Sequence, residues 1–203
     1  IDLLNIKIGE ASLSVEESDS IEGRDVYHLN FSVKTSKLGD RIYKIRNKID
    51  VWIDKENLNV VRQDKSVREV RKKKKSITSI QGELAITNGK EYIINENTFD
   101  PYSLLLILPE FEIPVESSKK FNIVDAGKVR EIELTNEGFR KIRTPYGTFL
   151  AYTLTPSKDD DSILKNKGDM EVYASIDDNL VPVEILIKLG QGVISLRLKK
   201  VRE

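Results

Sequence analysis

Residues 84–94 read Leu84-Ala85-Ile86-Thr87-Asn88-Gly89-Lys90-Glu91-Tyr92-Ile93-Ile94, and this stretch decides the fold class. Asn-Gly is the residue pair that most readily takes positive φ at two successive positions. That is the requirement of the tight turn joining two antiparallel strands. With β-compatible residues on either side, the segment predicts a hairpin.

The same grammar recurs on both sides of it. Tyr27, Leu29, Phe31 and Val33 alternate with His28, Asn30 and Ser32, the period of a half-buried strand. Glu22-Gly23 supplies a turn before that run. Ile49, Val51 and Ile53 alternate with Asp50, Trp52 and Asp54, and Asn57-Leu58-Asn59 turns the chain toward Val60-Val61. In the second half, turn signals at Asp125-Ala126-Gly127, Asn136-Glu137-Gly138, Pro145-Tyr146-Gly147, Asp177-Asp178-Asn179 and Gly190-Gln191-Gly192 separate strand-like runs. Those runs cover 129–134, 139–142, 148–155, 170–176, 181–189 and 193–201. Thr144-Pro145-Tyr146-Gly147 fits a type I turn, with glycine at its last place. The sum is an all-β, mainly antiparallel chain of about a dozen strands. The expected architecture is a single strongly curved sheet, a half-barrel or spiral, with one short helix packed on its concave face. No linker-like stretch divides the 203 residues, so one domain over 1–203 is expected.

The helix is the exception to the pattern. Asp100 is a capping residue and Pro101 suits the first helical position, while Pro109 ends the apolar run Leu104 to Leu108. A helix apolar on all sides is either a core plug or a wall that meets a ligand. On the second reading, Tyr102, Leu104, Leu105 and Leu108 are the candidate contacts for an apolar ligand.

Composition limits the function classes. Lys plus Arg number 33 and Asp plus Glu number 33, so the net charge is zero, unlike the basic surplus of a dedicated nucleic-acid binder. No nucleic-acid partner is expected. The absence of cysteine removes disulfides, thiolate metal sites and a cysteine nucleophile. The longest apolar run is far short of a membrane span, so no transmembrane segment is expected. A start at Ile1 reads as the product of trimming from a longer chain.

Little in the chain carries chemistry. His28 is the only histidine and lies on the polar phase of its strand, whereas a zinc site needs three or four ligands. It is also the only base available to a serine triad, and no Gly-x-Ser-x-Gly elbow occurs. Gly190-Gln191-Gly192 lies between strands and does not open a helix, so it reads as a turn and not as a phosphate cradle. Asp159-Asp160-Asp161 lacks the spacing of a calcium loop. No catalytic residue, metal ligand or cofactor is assigned. A hydrolase using paired carboxylates stays open, because acidic residues are plentiful and nothing singles out two of them.

Arg71-Lys72-Lys73-Lys74-Lys75 is the one concentrated charge. These five are candidate contacts for an anion such as a lipid head group. The alternative is a lysine-rich edge strand that blocks pairing between sheets. On a strand, Arg71, Lys73 and Lys75 share one face, and Lys72 and Lys74 the other.

Several ordered pieces resemble a bacterial exported family catalogued as a domain of unknown function, number thirty-one-oh-eight in its series. They are Ile8-Gly9-Glu10-Ala11, then 23–29, Ile53-Asp54 with Leu58, 99–104, Thr144-Pro145-Tyr146-Gly147-Thr148-Phe149, and 176–183 through 190–193. The sequence departs from the family's usual pattern in the lysines of 72–75. The resemblance implies a periplasmic or cell-envelope location and, more loosely, a likeness to the half-barrels of periplasmic lipoprotein carriers. The expected function is a non-catalytic envelope protein, a monomer, binding an apolar or lipid-like ligand or serving as a scaffold. Lipid or another envelope protein is the expected partner. A cavity-free protein-interaction module is the alternative.

Overall fold

A computed structural model describes residues 2–3, 6–17, 20–70, 72–156, 170–177, 181–189 and 192–201. Among them the strands are β1 (Asp2–Leu3), β2 (Ile6–Lys7), β3 (Gly9–Glu17), β4 (Val26–Thr35), β5 (Ile45–Asp54), β6 (Val60–Glu69), β7 (Lys72–Gln81) and β8 (Leu84–Thr87). They continue with β9 (Lys90–Ile93), β10 (Thr98–Phe99), β11 (Ser118–Asp125), β12 (Lys128–Arg143), β13 (Thr148–Pro156), β14 (Met170–Ser175), β15 (Pro182–Leu189) and β16 (Gly192–Arg197). Helix α1 (Lys37–Ile42) lies between β4 and β5, and helix α2 (Pro101–Ile107) runs into a 3-10 turn at Leu108–Glu110.

The chain is all-β and mainly antiparallel, as its period and turns predict. The strands form two sheets, however, where a single curved one is expected. One is seven-stranded in the order β3 to β9, and the other nine-stranded in the order β10 to β16 followed by β1 and β2. Open sheets of more than about ten strands tend to split. The break falls at Ile8, a buried residue whose carbonyl accepts from the Ser36 backbone N–H. One pairing is parallel, the short contact of β10 with β11 at Thr98–Asn122 and Phe99–Ile123.

Two compact units are distinguished. One holds the described residues of 8–105 and 121–131, the other those of 1–7, 106–120 and 132–203. Each is assembled from separated stretches of chain, which is why no linker shows in the sequence.

In the first of these units the seven-stranded sheet is a plain meander. Residues directly opposite one another lie on one face, so the register assigns faces without ambiguity. Leu29, Val51 and Gln63 are opposed, as are Phe31, Ile49 and Lys65. This face is the buried one. The predicted Asn-Gly hairpin forms with Thr87 opposite Lys90, and Asn88 and Gly89 take φ of 49° and 80°. Asp100 caps α2 as expected, its Oδ1 accepting from the N–H of Tyr102 at 2.7 Å and of Ser103 at 3.2 Å.

In the other unit, β12 and β13 form the hairpin predicted around Thr144–Gly147. Arg143 opposes Thr148, and Thr144 Oγ1 accepts from the N–H groups of both Tyr146 and Gly147. Phe149 packs beside the buried cluster Ile142, Ala151, Tyr173 and Val183.

Two glycines that look alike in sequence differ in the fold. Gly147 lies outside the left-handed region, and a β-carbon there would meet only the Phe149 ring, at 3.8 Å. Gly127 has φ of 81°, and a β-carbon there would come within 2.9 Å of the Tyr92 ring. Gly127→Ala is therefore expected to destabilise by ~1 kcal/mol or more, whereas Gly147→Ala shifts stability by less than ~0.5 kcal/mol. Equilibrium denaturation of the two variants checks this; equal losses would contradict the assignment of the two turns.

Candidate functional site

Strand β6 carries an anomaly. Its buried phase reads Val61, Gln63, Lys65, so an amide and an ammonium stand where apolar side chains belong. Both are accounted for by the chain that packs on this face. Gln63 Nε2 donates to the Val124 carbonyl at 2.6 Å. Lys65 Nζ donates to Asp100 Oδ2 at 2.7 Å and to Asp125 Oδ1 at 2.8 Å, and lies 5.0 Å from the centre of the Tyr102 ring. The side chains of Lys65 and Asp100 are 4% and 0% exposed, while that of Asp125 is half exposed.

Burial by itself would drive the proton off Lys65, but Asp100 and Asp125 outweigh it and hold the ammonium above the ordinary lysine range. Burial pushes the Asp100 carboxyl up from its ordinary value, against the pull of Lys65 and of the Tyr102 N–H. We read Asp100 as ionised, because its hydrogen bonds occupy both oxygens: Oδ2 faces the ammonium and Oδ1 two backbone donors. At Asp125, burial is outweighed by Lys65 and the carboxyl is lowered. Burial likewise pushes the Tyr102 phenol up to about 12.

This is a pair of close carboxylates bridged by one ammonium. Lys65 donates to both, and Asp100 is fully buried while Asp125 stays half exposed. What the cluster does is tie the start of α2 and the turn after β11 to the centre of β6. Tyr102 completes the attachment by packing on Phe31, with ring centres 4.7 Å apart.

The other predicted residues fall as follows. Leu104 and Leu108 are buried and Leu105 is half-buried. His28 Nε2 donates to Asp50 Oδ1 across 3.0 Å, and its ring stacks on Trp52, whose ring also lies under Arg62. Arg71 lies outside the described residues, as do the side chain of Lys72, the Asp159–Asp161 run and the Gly190-Gln191 turn. Lys73, Lys74 and Lys75 are exposed. Strand β7 pairs with β8 only over Thr78–Gln81, so its lysine-rich half pairs with β6 alone. Among the described residues no group of three or more His, Asp or Glu could hold a metal ion, and no helix is long and apolar enough to cross a membrane.

Sequence reasoning passed over a second surface, on the other unit. Register along β12 to β16 places Phe139, Tyr152 and Ala174 in one row across the sheet. Leu154, Val172, Ile185 and Leu196 form the next row, and Met170, Ile187 and Ile194 a third. Leu154, Val172 and Ala174 are buried and most of the others half-buried, while Phe139 and Leu150 are 52% and 49% exposed. Phe139 and Tyr152 touch, ring centres 4.9 Å apart. Lys141, opposite Leu150, and Arg143, opposite Thr148, stand exposed on this same face at the β12–β13 turn. The opposite face carries the buried cluster Ile142, Ala151 and Tyr173 together with polar groups: Glu184 accepts from Ser195 and Arg197, and Glu171 from Tyr173 and Lys188. The runs were legible as strands, but which residues shared a face was not, because a bulge between Asn136 and Phe139 resets the phase of β12.

The molecule is thus an antiparallel two-sheet protein with a buried ion cluster in one unit and a half-open apolar face on the other. The chain belongs to the family described as Protein of unknown function (DUF3108), whose model matches residues 1–199. No curated protein and no solved structure matches it.

Removing the buried cation leaves Asp100 without its ion-pair partner, so the buried carboxyl must either stay charged at a cost or take up a proton. Lys65→Met is expected to destabilise by about 3–5 kcal/mol, measured by denaturant unfolding. Lys65 is raised, so its contribution is complete below the ordinary value of 10.5 and is lost only as pH rises through the higher folded value. Raising the pH of the unsubstituted protein to 10.5 should therefore leave this contribution intact.

Proposed function

We propose that the protein is a non-catalytic binding protein of the cell envelope, and that its ligand is lipid-like. The observation that supports this reading is the apolar face of β12–β16. A sheet face that carries rows of aliphatic and aromatic side chains, with Phe139 and Leu150 half exposed, is suited to an acyl chain. Each methylene that such a face covers is worth about 0.8 kcal/mol. Lys141 and Arg143 border the face on one side, where an anionic end group would meet them. The resemblance to an exported family supports the envelope location.

The ligand is assigned to this face in preference to α2. Leu104 and Leu108, the expected contacts on the helix, are buried, whereas the sheet face ends in the exposed Phe139, Leu150 and Ile176, the last bonded through its N–H to the Leu150 carbonyl. The non-catalytic reading draws support from the Lys65 cluster, in which Asp100 is fully buried with both oxygens hydrogen-bonded.

A long-chain fatty acid carrying a fluorophore provides the test. Leu150→Gln combined with Ile176→Gln should weaken its binding by at least about tenfold, since both side chains stand exposed and the fold does not need them. Unaltered binding would move the ligand off this face. No binding by the unsubstituted protein, and no lipid carried through purification from its own envelope, would favour an interaction module instead.

A further inference from the structure

The seven-stranded sheet ends in a surface that neither the ion cluster nor the apolar face explains. At the end where β4 gives way to α1 and β6 turns into β7, the register aligns Lys34, Arg46, Arg68 and Lys73 directly across four strands. Like charges placed opposite one another on a sheet repel and destabilise it. Arg46 is relieved by Asp40, whose oxygens accept from both its terminal nitrogens at 2.9 and 2.7 Å. Glu10 stands opposite Lys34 on β3, and Glu69 is turned to the other face, where it accepts from Asn47. Cations outnumber acids here: the helix adds Lys37 and Arg41, and Lys44 follows it.

Large apolar side chains stand exposed among these cations. Leu38 and Ile42 on α1 are 49% and 51% exposed, and Tyr43, which follows α1, and Val70, in the β6–β7 turn, are also exposed. Leu38 and Ile42 are four residues apart and so lie on one side of the helix. They are exposed because the helix turns another side inward. Gly39 is buried so tightly that a β-carbon there would lie 2.1 Å from the Ile8 carbonyl oxygen. The helix is held in that orientation by the Ser36 cap on the Gly39 N–H and by Thr35 donating to Asp40. A six-residue helix locked by a glycine contact presents two aliphatic side chains outward, and its Asp40 ties it to Arg46 of the cationic row.

We propose that this end of the seven-stranded unit docks on an anionic membrane surface. Leu38, Ile42, Tyr43 and Val70 enter the head-group layer while the row from Lys34 to Lys73 meets lipid phosphates. The combination selects this occupant: cations alone would suit any polyanion, and apolar residues alone any partner surface. Exposed aliphatic groups interleaved with cations suit an interface that is apolar inside and anionic outside. This docking is separate from the proposed acyl-chain ligand and lies on different strands.

Co-sedimentation with phosphatidylcholine vesicles, with and without phosphatidylglycerol, tests it. The protein is expected to bind only the phosphatidylglycerol-containing vesicles, more weakly as salt is added. Arg68→Gln with Lys73→Gln should weaken binding by about tenfold or more. Leu38→Ser with Ile42→Ser, both at exposed positions, should weaken it severalfold and leave the thermal melt unchanged. Leu150→Gln with Ile176→Gln should leave it unaltered, which separates docking from acyl-chain binding. No binding to the anionic vesicles at low salt would overturn the proposal. So would binding indifferent to the Leu38 and Ile42 changes, or self-association lost in that variant without any vesicle binding.

Discussion

One ammonium group organises the unit built on the seven-stranded sheet. Lys65 projects from the middle of β6 into a face that is otherwise apolar, and an isolated charge there would be prohibitive. The chain must therefore return Asp100 and Asp125 to within 3 Å of it, from positions 35 and 60 residues further along. That demand fixes where α2 begins and where β11 turns into β12. Buried ion clusters add little net stability over apolar packing, but breaking one is costly, so they discriminate against alternative placements. In this fold the cluster acts as a registration pin: Asp100 both caps α2 and receives the cation, which couples the helix start to a particular residue of the sheet.

A consequence is a division of labour among surfaces. Lys65 and Asp100 are engaged in holding the helix start. His28 is similarly engaged, lying between Asp50 and the Trp52 ring. What is left open is of a different kind: an apolar face on β12–β16, and a cationic end with exposed aliphatic side chains around α1. Both suit association with amphiphiles better than turnover of a polar substrate.

The strands, the Asn88-Gly89 hairpin, the Thr144–Gly147 turn and the capped α2 were legible because each depends on a few neighbouring residues. The division into two sheets was not, since pairing is decided between segments far apart in sequence. Lys65 left a trace, as a lysine in phase with Val61 and Val67, but its partners are set by tertiary return of the chain. Helix α1 was missed because six residues give too short a period to recognise, although Ser36 was available as a cap. The basic run was visible as charge. Only the register showed that Lys73 joins Arg68, Arg46 and Lys34, and that Lys74 faces the other way, toward the side of Asp125. The apolar face was hidden because Asn136-Glu137-Gly138, expected as a turn between two strands, is instead a bulge within the single strand β12, and which residues share a face on either side of it depends on that bulge.

The central claim is that the ligand-binding surface is the sheet face and not the helix. Methyl-resolved NMR of the isoleucine and leucine side chains, recorded while an unlabelled long-chain fatty acid is added, addresses this directly. The account predicts shifts at Leu150, Ile176, Ile185, Ile187, Ile194 and Leu196, with Leu104 and Leu108 unmoved. Shifts centred on Leu104, Leu105 and Leu108, with the β12–β16 methyls unchanged, would contradict it.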